Sequence, residues 1–378
     1  MTSIQNGARS AWTQQRDARL AAAELAEQFG LVNPKAILFF CSHHHDGKTL
    51  SGTLRERYPG AEVIGCTTAG EFTDREHGSS SVSALALGSD KVLRCAGALA
   101  PCAQGTAPGV KAAMDRIATT LKIEPRALDP KRYVGVVLVE GLKMREEEVN
   151  EELGNHAPVI SFVGGSAGDN LEFKATHVFY NGESCDDGAV LLFLEMAVPF
   201  TVTKTCSFEP TGKQFRATKV DEKTRTIYEL DGKPVAEVYA AGLGIAPGKL
   251  DGSVFMSSPM GLMIDGKPWI RSPQQLLPDG GLRFYCKVSE GMDIHLMRST
   301  DLVADTHRAM ALVPAALGQP LAGGLLFNCI LRRLELDAKD AHGPFLNAFH
   351  GIQAAGFHTY GESWLGHINQ TFTALLFG

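Results

Sequence analysis

The sequence predicts an α/β (α+β) protein of two halves, each with mixed, largely antiparallel sheets flanked by helices. Two observations favour this fold. Apolar stretches of strand length, such as "KAILFFCS" and "YVGVVLVEG", alternate with helical stretches such as "KTLSGTLRERYP" and "KMREEEVNEELGN". Other neighbouring strands are separated only by short polar turns, as in "ALGSDKVL" and "KVDEKTRTI". Because such turns cannot hold the crossover helix that parallel strands need, we expect these strands to be antiparallel.

The order of the elements divides the chain into three segments. Residues 1–33 are predicted to form an N-terminal helical extension, an amphipathic surface helix rich in alanine. Residues 34–224 are predicted to form the first domain, which starts with an apolar strand and ends in a meander of strands. Residues 225–378 are predicted to form the second domain, because a helix begins again after Pro234.

Composition restricts the classes of function. The chain has 378 residues, too many for one simple core, and it is 44% hydrophobic and 21% charged, as is usual for a globular protein. The formal net charge is −6 and no basic cluster is longer than the Arg332-Arg333 pair, so a nucleic-acid partner is not expected. No apolar run has the length that a bilayer requires, and the N-terminus lacks a signal-peptide pattern. These observations predict a cytoplasmic protein with no membrane or nucleic-acid partner.

The end of the chain carries an unusual alternation. A chain terminus is commonly frayed and polar, but the last twelve residues read as a strand with a mostly apolar face. The opposite face would carry His367, Asn369, Thr371 and Thr373. A continuous strand of this kind is expected to form one wall of a pocket.

Three glycine-rich turns repeat a pattern along the chain. "VIGCTTAGEF", "VISFVGGSAGDN" and "QAAGFHTYGES" each run from apolar residues into a small-residue turn that ends at Glu71, Asp169 or Glu362. Such turns expose backbone N–H groups and a carboxylate at strand ends, where ligands often bind. The alternative, which composition alone favours, is that small residues simply permit tight turns.

Several catalytic or metal-binding motifs are incomplete. "GGSAG" fits GxSxG and could make Ser166 a hydrolase nucleophile, but no helix is predicted directly after it. Consecutive histidines in "HHHDG" are expected to point alternately in an extended segment and not to converge on a metal. The eight cysteines include no CxxC pair, so they are interpreted as buried packing residues, with Cys66 as a less favoured reactive thiol. An enzyme is therefore not predicted.

Seven short motifs appear in order and together resemble one family. They are "FFCS" with "GCTTAGE", "GGSAGDN", "FEPTGK", "ELDGKPVAEVY", "CILRRLE", "GFHTYGE" and the terminal "HINQTFT". From about Lys35 to the end, the chain resembles two-part FIST proteins (FIST N and FIST C), which are sensory ligand-binding modules of signal transduction. Within that family it is most similar to NosP-type haem proteins, which sense nitric oxide and control a partner histidine kinase and biofilm-related signalling.

The resemblance implies a cofactor and a set of site residues. The cofactor would be non-covalent haem b, which needs an axial ligand, an apolar slot and cations for its propionates. His367 is the first candidate for the iron ligand, followed by His358 and then His307, with Asn369 orienting the imidazole of His367. Arg332 and Arg333 would neutralise a propionate. The residues expected to line the ligand pocket are Cys66, Thr67, Thr68, Gly165, Ser166, Thr359, Tyr360 and Glu362.

Two alternatives remain open at this point. His367 could be a buried histidine that is hydrogen-bonded to a neighbouring carbonyl, with no iron. The protein could also be a FIST sensor of another small ligand, without haem. A hydrolase is a less favoured third possibility.

Overall fold

The structure, a computed structural model, describes residues 7–378 and contains three six-stranded sheets and one eight-stranded sheet. The predicted α/β (α+β) class, with mixed sheets flanked by helices, is confirmed. The chain divides into two compact units. Unit 1 comprises residues up to Lys204 together with Thr306–His367 and Phe372–Gly378, and unit 2 comprises Thr205–Asp305 and Ile368–Thr371. The border predicted near residue 225 lies inside unit 2.

Unit 1 begins with a segment that we name repeat 1. Its helices start where an aspartate caps free backbone N–H groups: Asp17 accepts from Arg19 and Leu20, and Asp46 accepts from Thr49. The elements of repeat 1 are β1 (Ala8–Thr13), α1 (Ala18–Phe29), β2 (Pro34–Ser42), α2 (Gly47–Arg57), β3 (Glu62–Thr68), β4 (Glu71–Thr73), β5 (His77–Gly78) and β6 (Val82–Gly88).

Repeat 2 follows with the same order of strands and helices. Its elements are β7 (Val92–Pro101), α3 (Thr106–Leu121), β8 (Tyr133–Val139), α4 (Glu146–His156), β9 (Phe162–Ser166), β10 (Val178–Tyr180), β11 (Glu183–Cys185) and β12 (Gly188–Met196). A short 3-10 helix, Pro125–Ala127, precedes β8.

After β13 (Phe200–Cys206), the chain forms the elements of unit 2. They are β14 (Phe208–Asp221), β15 (Thr226–Leu230), β16 (Lys233–Pro234), α5 (Val235–Leu243), α6 (Gly252–Ser257), β17 (Met260–Ile264), β18 (Lys267–Arg271), β19 (Pro273–Leu276), β20 (Leu282–Phe284) and β21 (Asp293–Ser299), with a 3-10 helix at Pro247–Lys249. Seven of these strands form the path β18-β17-β21-β14-β15-β20-β19, and β16 pairs with β15.

Repeat 3 consists of β13 and of the elements that follow β21. Its later elements are α7 (Leu302–Leu317), β22 (Gly323–Cys329), α8 (Ile330–Lys339), α9 (His342–Leu346), a 3-10 helix at Asn347–Phe349, β23 (Gln353–Thr359), β24 (Glu362–Trp364), β25 (His367–Ile368) and β26 (Thr371–Phe377). The described part of the chain holds no helix that is long and apolar enough to cross a membrane.

The three repeats build three sheets of the same topology. Sheet 1 has the order β1-β6-β2-β3-β10-β11, sheet 2 the order β7-β12-β8-β9-β24-β25, and sheet 3 the order β13-β26-β22-β23-β4-β5. In each sheet the central pair is parallel (β2–β3, β8–β9 and β22–β23) and the flanking pairs are antiparallel. The internal echo of the sequence is therefore a threefold structural repeat.

Each repeat gives its two short strands to another repeat. Repeat 1 adds β4 and β5 to sheet 3, repeat 2 adds β10 and β11 to sheet 1, and repeat 3 adds β24 and β25 to sheet 2. The exchange is cyclic, and it carries the turn that precedes each short strand from one repeat to the next. The three turns of the predicted pattern consequently meet.

Alternate residues of the strands belong to two different cores. In β2, Leu38 and Phe40 face a central core that sheets 1, 2 and 3 share, while Ile37 and Phe39 pack in a second core with α1 and α2. Rings of the central core touch across repeats, since Phe40 stacks on Phe357 with ring centroids 4.7 Å apart. Because both faces are covered, the strands are continuous apolar runs instead of alternating ones.

Two details differ from the expectations. The end of the chain is not one strand: β25 and β26 are separated at Asn369 and Gln370, and Gln370 has a positive φ of 51°. That turn breaks the predicted alternation, and Thr371 and Thr373 are fully buried in sheet 3. Within the predicted extension of residues 1–33, the described part holds the paired strand β1 as well as helix α1, while residues 1–6 lie outside the described residues.

Candidate functional site

The three turns form a closed ring of backbone hydrogen bonds. Turn 1 (residues 68–71), turn 2 (166–169) and turn 3 (359–362) each follow the second strand of a parallel pair. Turn 1 meets repeat 3 where Ala69 N–H donates to His358 O at 3.1 Å. Turn 3 meets turn 2 where Ser166 N–H donates to Gly361 O at 2.7 Å. Turn 2 meets repeat 1 where Gly168 N–H donates to Thr67 O at 3.0 Å.

Turns 1 and 3 contain the same buried hydroxyl–carboxylate pair. The Oγ1 of Thr68 donates to Oε1 of Glu71, and the Oγ1 of Thr359 donates to Oε1 of Glu362. All four side chains are fully buried. Ser81 also donates to Glu71, from its Oγ at 2.5 Å and from its N–H at 3.2 Å. These carboxylates hold the turns in shape, since a buried carboxylate needs hydrogen-bond donors.

Burial changes the acidity of Glu71. Desolvation raises the pKa of Glu71 to about 7, although the hydrogen bonds from Ser81 and Thr68 act in the opposite direction. Glu71 therefore exchanges a proton near neutral pH, whereas a solvent-exposed glutamate would be ionised.

Turn 2 uses its carboxylate in another way. Asp169 accepts from the N–H groups of Phe173, Lys174 and Ala175 and from the phenol of Tyr360 at 2.5 Å. Desolvation raises the pKa of Asp169, but these hydrogen bonds outweigh it and the net pKa lies below the usual value. The backbone N–H of Leu171 in turn donates to the Tyr360 oxygen at 2.7 Å. Tyr360 of turn 3 thus fixes the segment that follows turn 2.

A chain of buried polar side chains runs behind turn 3. The Nη2 of Arg332 donates to Oγ1 of Thr306 at 2.9 Å, and its Nε donates to Oδ1 of Asn328 at 2.7 Å. The Nδ2 of Asn328 lies 3.0 Å from Nδ1 of His358. The β22–β23 register, which places Asn328 beside His358, produces this contact. Arg332, 1% exposed, is the largest fully buried side chain of the described residues.

This chain fixes the tautomer of His358. An arginine can only donate, so the atom of Asn328 that faces Arg332 must be the amide oxygen. The amide nitrogen then faces His358 and donates to Nδ1, which must carry a lone pair. Burial, followed by the nearby cation of Arg333, lowers the pKa of His358 well below its usual value, so the ring is neutral. A neutral ring that accepts at Nδ1 carries its proton on Nε2.

The Nε2 side of His358 faces a cluster of one arginine, two histidines and one carboxylate: Arg333, His342, His77 and Asp337. Gly70 lies between Arg333 and His358. A Cβ added to Gly70 would be 3.1 Å from Nη1 of Arg333 and 3.1 Å from Cδ2 of the His358 ring. Among the described residues, no side chain or carbonyl accepts a hydrogen bond from Nε2 of His358. His342 packs edge-on against His358 with centroids 6.0 Å apart, and His77 stacks on His342 at 4.4 Å.

Arg333 joins all three repeats at this cluster. Its Nη1 donates to the Ala69 carbonyl at 2.5 Å and to Oδ1 of Asn170 at 2.7 Å, and its Nε lies 3.4 Å from Asp337. The side chain is 17% exposed, so it reaches solvent. Gly70 has a φ of 110°, which L side chains rarely adopt, and it permits this close approach.

Aromatic side chains cover the other side of His358. The ring of Phe72 lies 5.0 Å from that of His358, and Phe345 and Phe349 pack on Phe72 at 5.7 and 6.4 Å. The short helix α9 and the 3-10 helix after it supply the last two rings. His358 therefore lies between aromatic rings on one side and the polar groups of Arg333 and His342 on the other.

Of the other histidines that the sequence singles out, His367 lies beside turn 3. It is 5% exposed, and its ring packs against Gly361 so closely that a Cβ there would overlap with it. Asn369, the predicted partner of His367, instead accepts from Sγ of Cys286 at 2.6 Å. His307, on α7, has its Nε2 2.9 Å from the Pro344 carbonyl.

The remaining predicted pocket residues lie in or next to the ring of turns. Thr67 Oγ1 accepts from His177 N–H at 3.0 Å, and Gly165 lies against the Thr359 side chain. Ser166 Oγ is 3.4 Å from Glu146, and the residues from Ser166 to β10 contain no helix, so a nucleophile elbow is not formed. Cys66 is buried in β3, and burial raises the pKa of its thiol well above the usual value, which makes it a poor nucleophile.

Sequence reasoning missed Asn328, His77, His342 and Phe72. Asn328 directly precedes the motif "CILRRLE", which begins at Cys329, but its contact with His358 depends on the register between β22 and β23. The other three come from β5, α9 and β4, which are brought to repeat 3 by the strand exchange. Only the polarity of Asn328 in an apolar strand was a local signal.

These features define a class: a threefold α/β scaffold whose turns enclose a buried polar site without a nucleophile elbow. Residues 35–233 match the FIST N domain and residues 236–364 match the FIST C domain, together most of the chain. The protein belongs to the FIST family, whose domains are sensory domains of signal transduction that bind small ligands. No curated protein matches its sequence.

Proposed function

We propose that this protein is a cytoplasmic sensor that binds a small anionic molecule between His358 and Arg333 and signals to a partner such as a histidine kinase. The observation that carries the proposal is the Nε2–H of His358, which lies beside Arg333 and has no acceptor among the described residues. A ligand oxygen placed there would accept a hydrogen bond from this N–H group.

The charge of the site supports an anion. Arg333 contributes a cation that is partly open to solvent and has one carboxylate, Asp337, 3.4 Å from its Nε, and the histidine beside it is a neutral donor. A carboxylate or phosphate oxygen would accept from both groups in a charge-assisted contact. The hydrogen bonds of Arg333 to Ala69 and Asn170 connect the same site to repeats 1 and 2. A ligand that draws Arg333 away from these acceptors would shift the equilibrium between two arrangements of the turns.

Asn328→Asp tests the donor role without changing the size of the side chain. A carboxylate accepts from Arg332 but cannot donate to Nδ1, so the proton of His358 moves to Nδ1 and Nε2 becomes an acceptor. We expect anion affinity to fall about 10- to 100-fold, the value of a hydrogen bond to a charged group. Thermal shift with sodium acetate, succinate, phosphate and glycerol 3-phosphate, followed by calorimetry with the anion that shifts Tm most, measures this.

Asn155→Asp is the matched control, since it makes the same chemical change at an exposed position of α4. It should bind the anion as the wild-type protein does. Equal affinity in wild type and Asn328→Asp would contradict the proposed site, and so would a wild-type protein that none of the four anions stabilises.

The haem hypothesis is a second candidate, and it depends on His367. His358 does not fit an axial ligand, because an imidazole that binds iron through Nε2 cannot also carry a proton there. Arg332 is engaged with Asn328 and Thr306, which leaves Arg333 as the cation for a propionate. His367 is buried and its ring orientation is fixed by Gly361, as an axial ligand requires. Haem b would supply an iron that binds nitric oxide.

An absorption spectrum of protein from haem-supplemented cells separates the two candidates. A nitric oxide sensor with His367 as the ligand should show a Soret band that nitric oxide shifts and that His367→Ala abolishes. His358→Ala should retain that band. A colourless protein that is stabilised by an anion would support the first candidate and exclude haem.

A further inference from the structure

His43, His44 and Glu172 form a cluster outside the site described above. One ring nitrogen of each histidine and one carboxylate oxygen of Glu172 all lie within 4.8 Å of one another. His43 Nε2 is already 3.1 Å from Oε1 of Glu172, and the two imidazole rings have centroids 3.9 Å apart. We propose that this cluster binds one divalent transition-metal ion of the zinc type.

The local backbone explains why the two histidines converge. The sequence predicted that consecutive histidines would diverge, on the premise that "HHHDG" is extended. In the structure His43 and His44 lie in a turn between β2 and α2, and this turn brings their rings side by side. His45 takes no part, because its Nε2 lies 3.0 Å from the Gln15 carbonyl.

The donor set suits zinc. Two imidazoles and one carboxylate, with water in the fourth position, are a common tetrahedral arrangement, with metal–ligand bonds of about 2.0–2.2 Å. Such bonds need ligand atoms about 3.3–3.6 Å apart, so the widest spacing in the cluster, which is at most 4.8 Å, has to shorten by up to about 1.5 Å. His44 and Glu172 are exposed and can make that movement.

His43 has a free coordination capacity. Its side chain is 14% exposed, and its Nδ1 is buried with no hydrogen-bond partner among the described residues. One nitrogen of the ring faces Glu172 and the other has no partner, so either can supply a lone pair. Because no partner at Nδ1 fixes the tautomer, the proton can lie on Nδ1 and the lone pair of Nε2 can then bind the metal.

The carboxylate comes from a strained segment next to turn 2. Asn170, Leu171 and Phe173 all have positive φ angles, between 53° and 68°, which is rare for bulky residues. Asn170 is also the acceptor of Arg333. Metal binding at Glu172 would hold this segment against the loop of repeat 1 and so fix one of the groups around Arg333.

Isothermal titration of tag-free protein with zinc chloride tests the site. We expect one ion per chain in the wild type, and a loss of at least about 10-fold in affinity in His44→Ala and in Glu172→Gln. Both side chains are exposed, so neither variant should misfold. His156→Ala is the control, because it removes a histidine that also lies near a glutamate, 4.0 Å from Glu152, but outside the cluster.

Two spectroscopic outcomes complete the test. Cobalt(II) should give the visible absorption of a tetrahedral site in the wild type and in His156→Ala, but not in His44→Ala. Zinc should also slow amide exchange in residues 170–175. A wild type that takes up no zinc, or His44→Ala and Glu172→Gln variants that bind as tightly as the wild type, would overturn the proposal.

Discussion

At the scale of single residues, Asn328 lies between Arg332, which can only donate hydrogen bonds, and His358, whose ring nitrogens can donate or accept them. Arg332 donates to the amide oxygen of Asn328, and the amide nitrogen of Asn328 therefore donates to His358. The proton of His358 is consequently placed on the nitrogen that faces Arg333, without any direct contact between Arg332 and His358. A substitution that removes Arg332 should therefore affect ligand binding through the orientation of Asn328 as well as through stability.

Glu71 provides a prediction for the dependence of stability on pH. Its pKa is about 7 in the folded protein and about 4.5 when it is exposed, so the folded state binds the proton more tightly. The stabilisation by this group is complete below pH 4.5 and is lost as the pH rises through 7, by about 3 kcal/mol in total. The Glu71→Gln variant should not show this decrease in stability between pH 4.5 and pH 7.

Denaturant unfolding between pH 5 and 8 measures the difference between wild type and Glu71→Gln. Substitution of the exposed Glu237 by Gln is the control and should leave the pH profile unchanged. If the wild type and Glu71→Gln have parallel profiles, Glu71 does not titrate in this range.

At the scale of elements, the turns could be predicted from the sequence and their partners could not. The pattern of a hydroxyl, a small residue or tyrosine, a glycine and a carboxylate is local, and it identified Thr68, Ser166 and Thr359 directly. The exchange of β4, β10 and β24 between sheets joins residues that are far apart in sequence, so no local sequence pattern predicts it. The prediction of one continuous terminal strand was wrong for a local reason, because the left-handed backbone at Gln370 interrupts the alternation of polar and apolar residues.

Gly361 tests how tightly turn 3 packs. A Cβ at this position would overlap with the ring of His367, which has to shift within a buried environment. We expect Gly361→Ala to lower the free energy of unfolding by about 1–3 kcal/mol. Gly154→Ala in α4 meets no atom within 4 Å and should be neutral or stabilising by up to about 1 kcal/mol. A Gly361→Ala variant as stable as Gly154→Ala would show that the ring of His367 is not held by turn 3.

At the scale of the whole chain, sheets 1, 2 and 3 share one core and exchange strands in a cycle. Their stabilities should therefore be coupled, and a defect in one sheet should be felt in the other two. The two domains predicted from sequence divide the chain at one point, whereas repeat 3 is interrupted by residues of unit 2 and completed after them. Sequence order alone cannot show this arrangement, because the parts of repeat 3 lie about a hundred residues apart.

Phe327 of the central core provides the test of coupling. It is fully buried and its ring lies 6.0 Å from that of Phe40 in sheet 1 and 5.8 Å from that of Phe357 in sheet 3. Phe327→Ala should cost about 3–5 kcal/mol and should lower hydrogen-exchange protection in β2, β8 and β22 alike. Leu312→Ala, at a position that is 71% exposed, should change neither quantity. A loss of protection confined to sheet 3 would contradict the coupling.

The tautomer of His358 decides whether its Nε2–H can donate a hydrogen bond to a ligand oxygen. Two-dimensional NMR of protein labelled with nitrogen-15 at histidine distinguishes a protonated from an unprotonated ring nitrogen, and His358→Gln assigns the signal. We expect a neutral ring with the proton on Nε2 in the wild type, and with the proton on Nδ1 in Asn328→Asp. A wild-type ring that carries its proton on Nδ1, or on both nitrogens at neutral pH, would contradict this expectation.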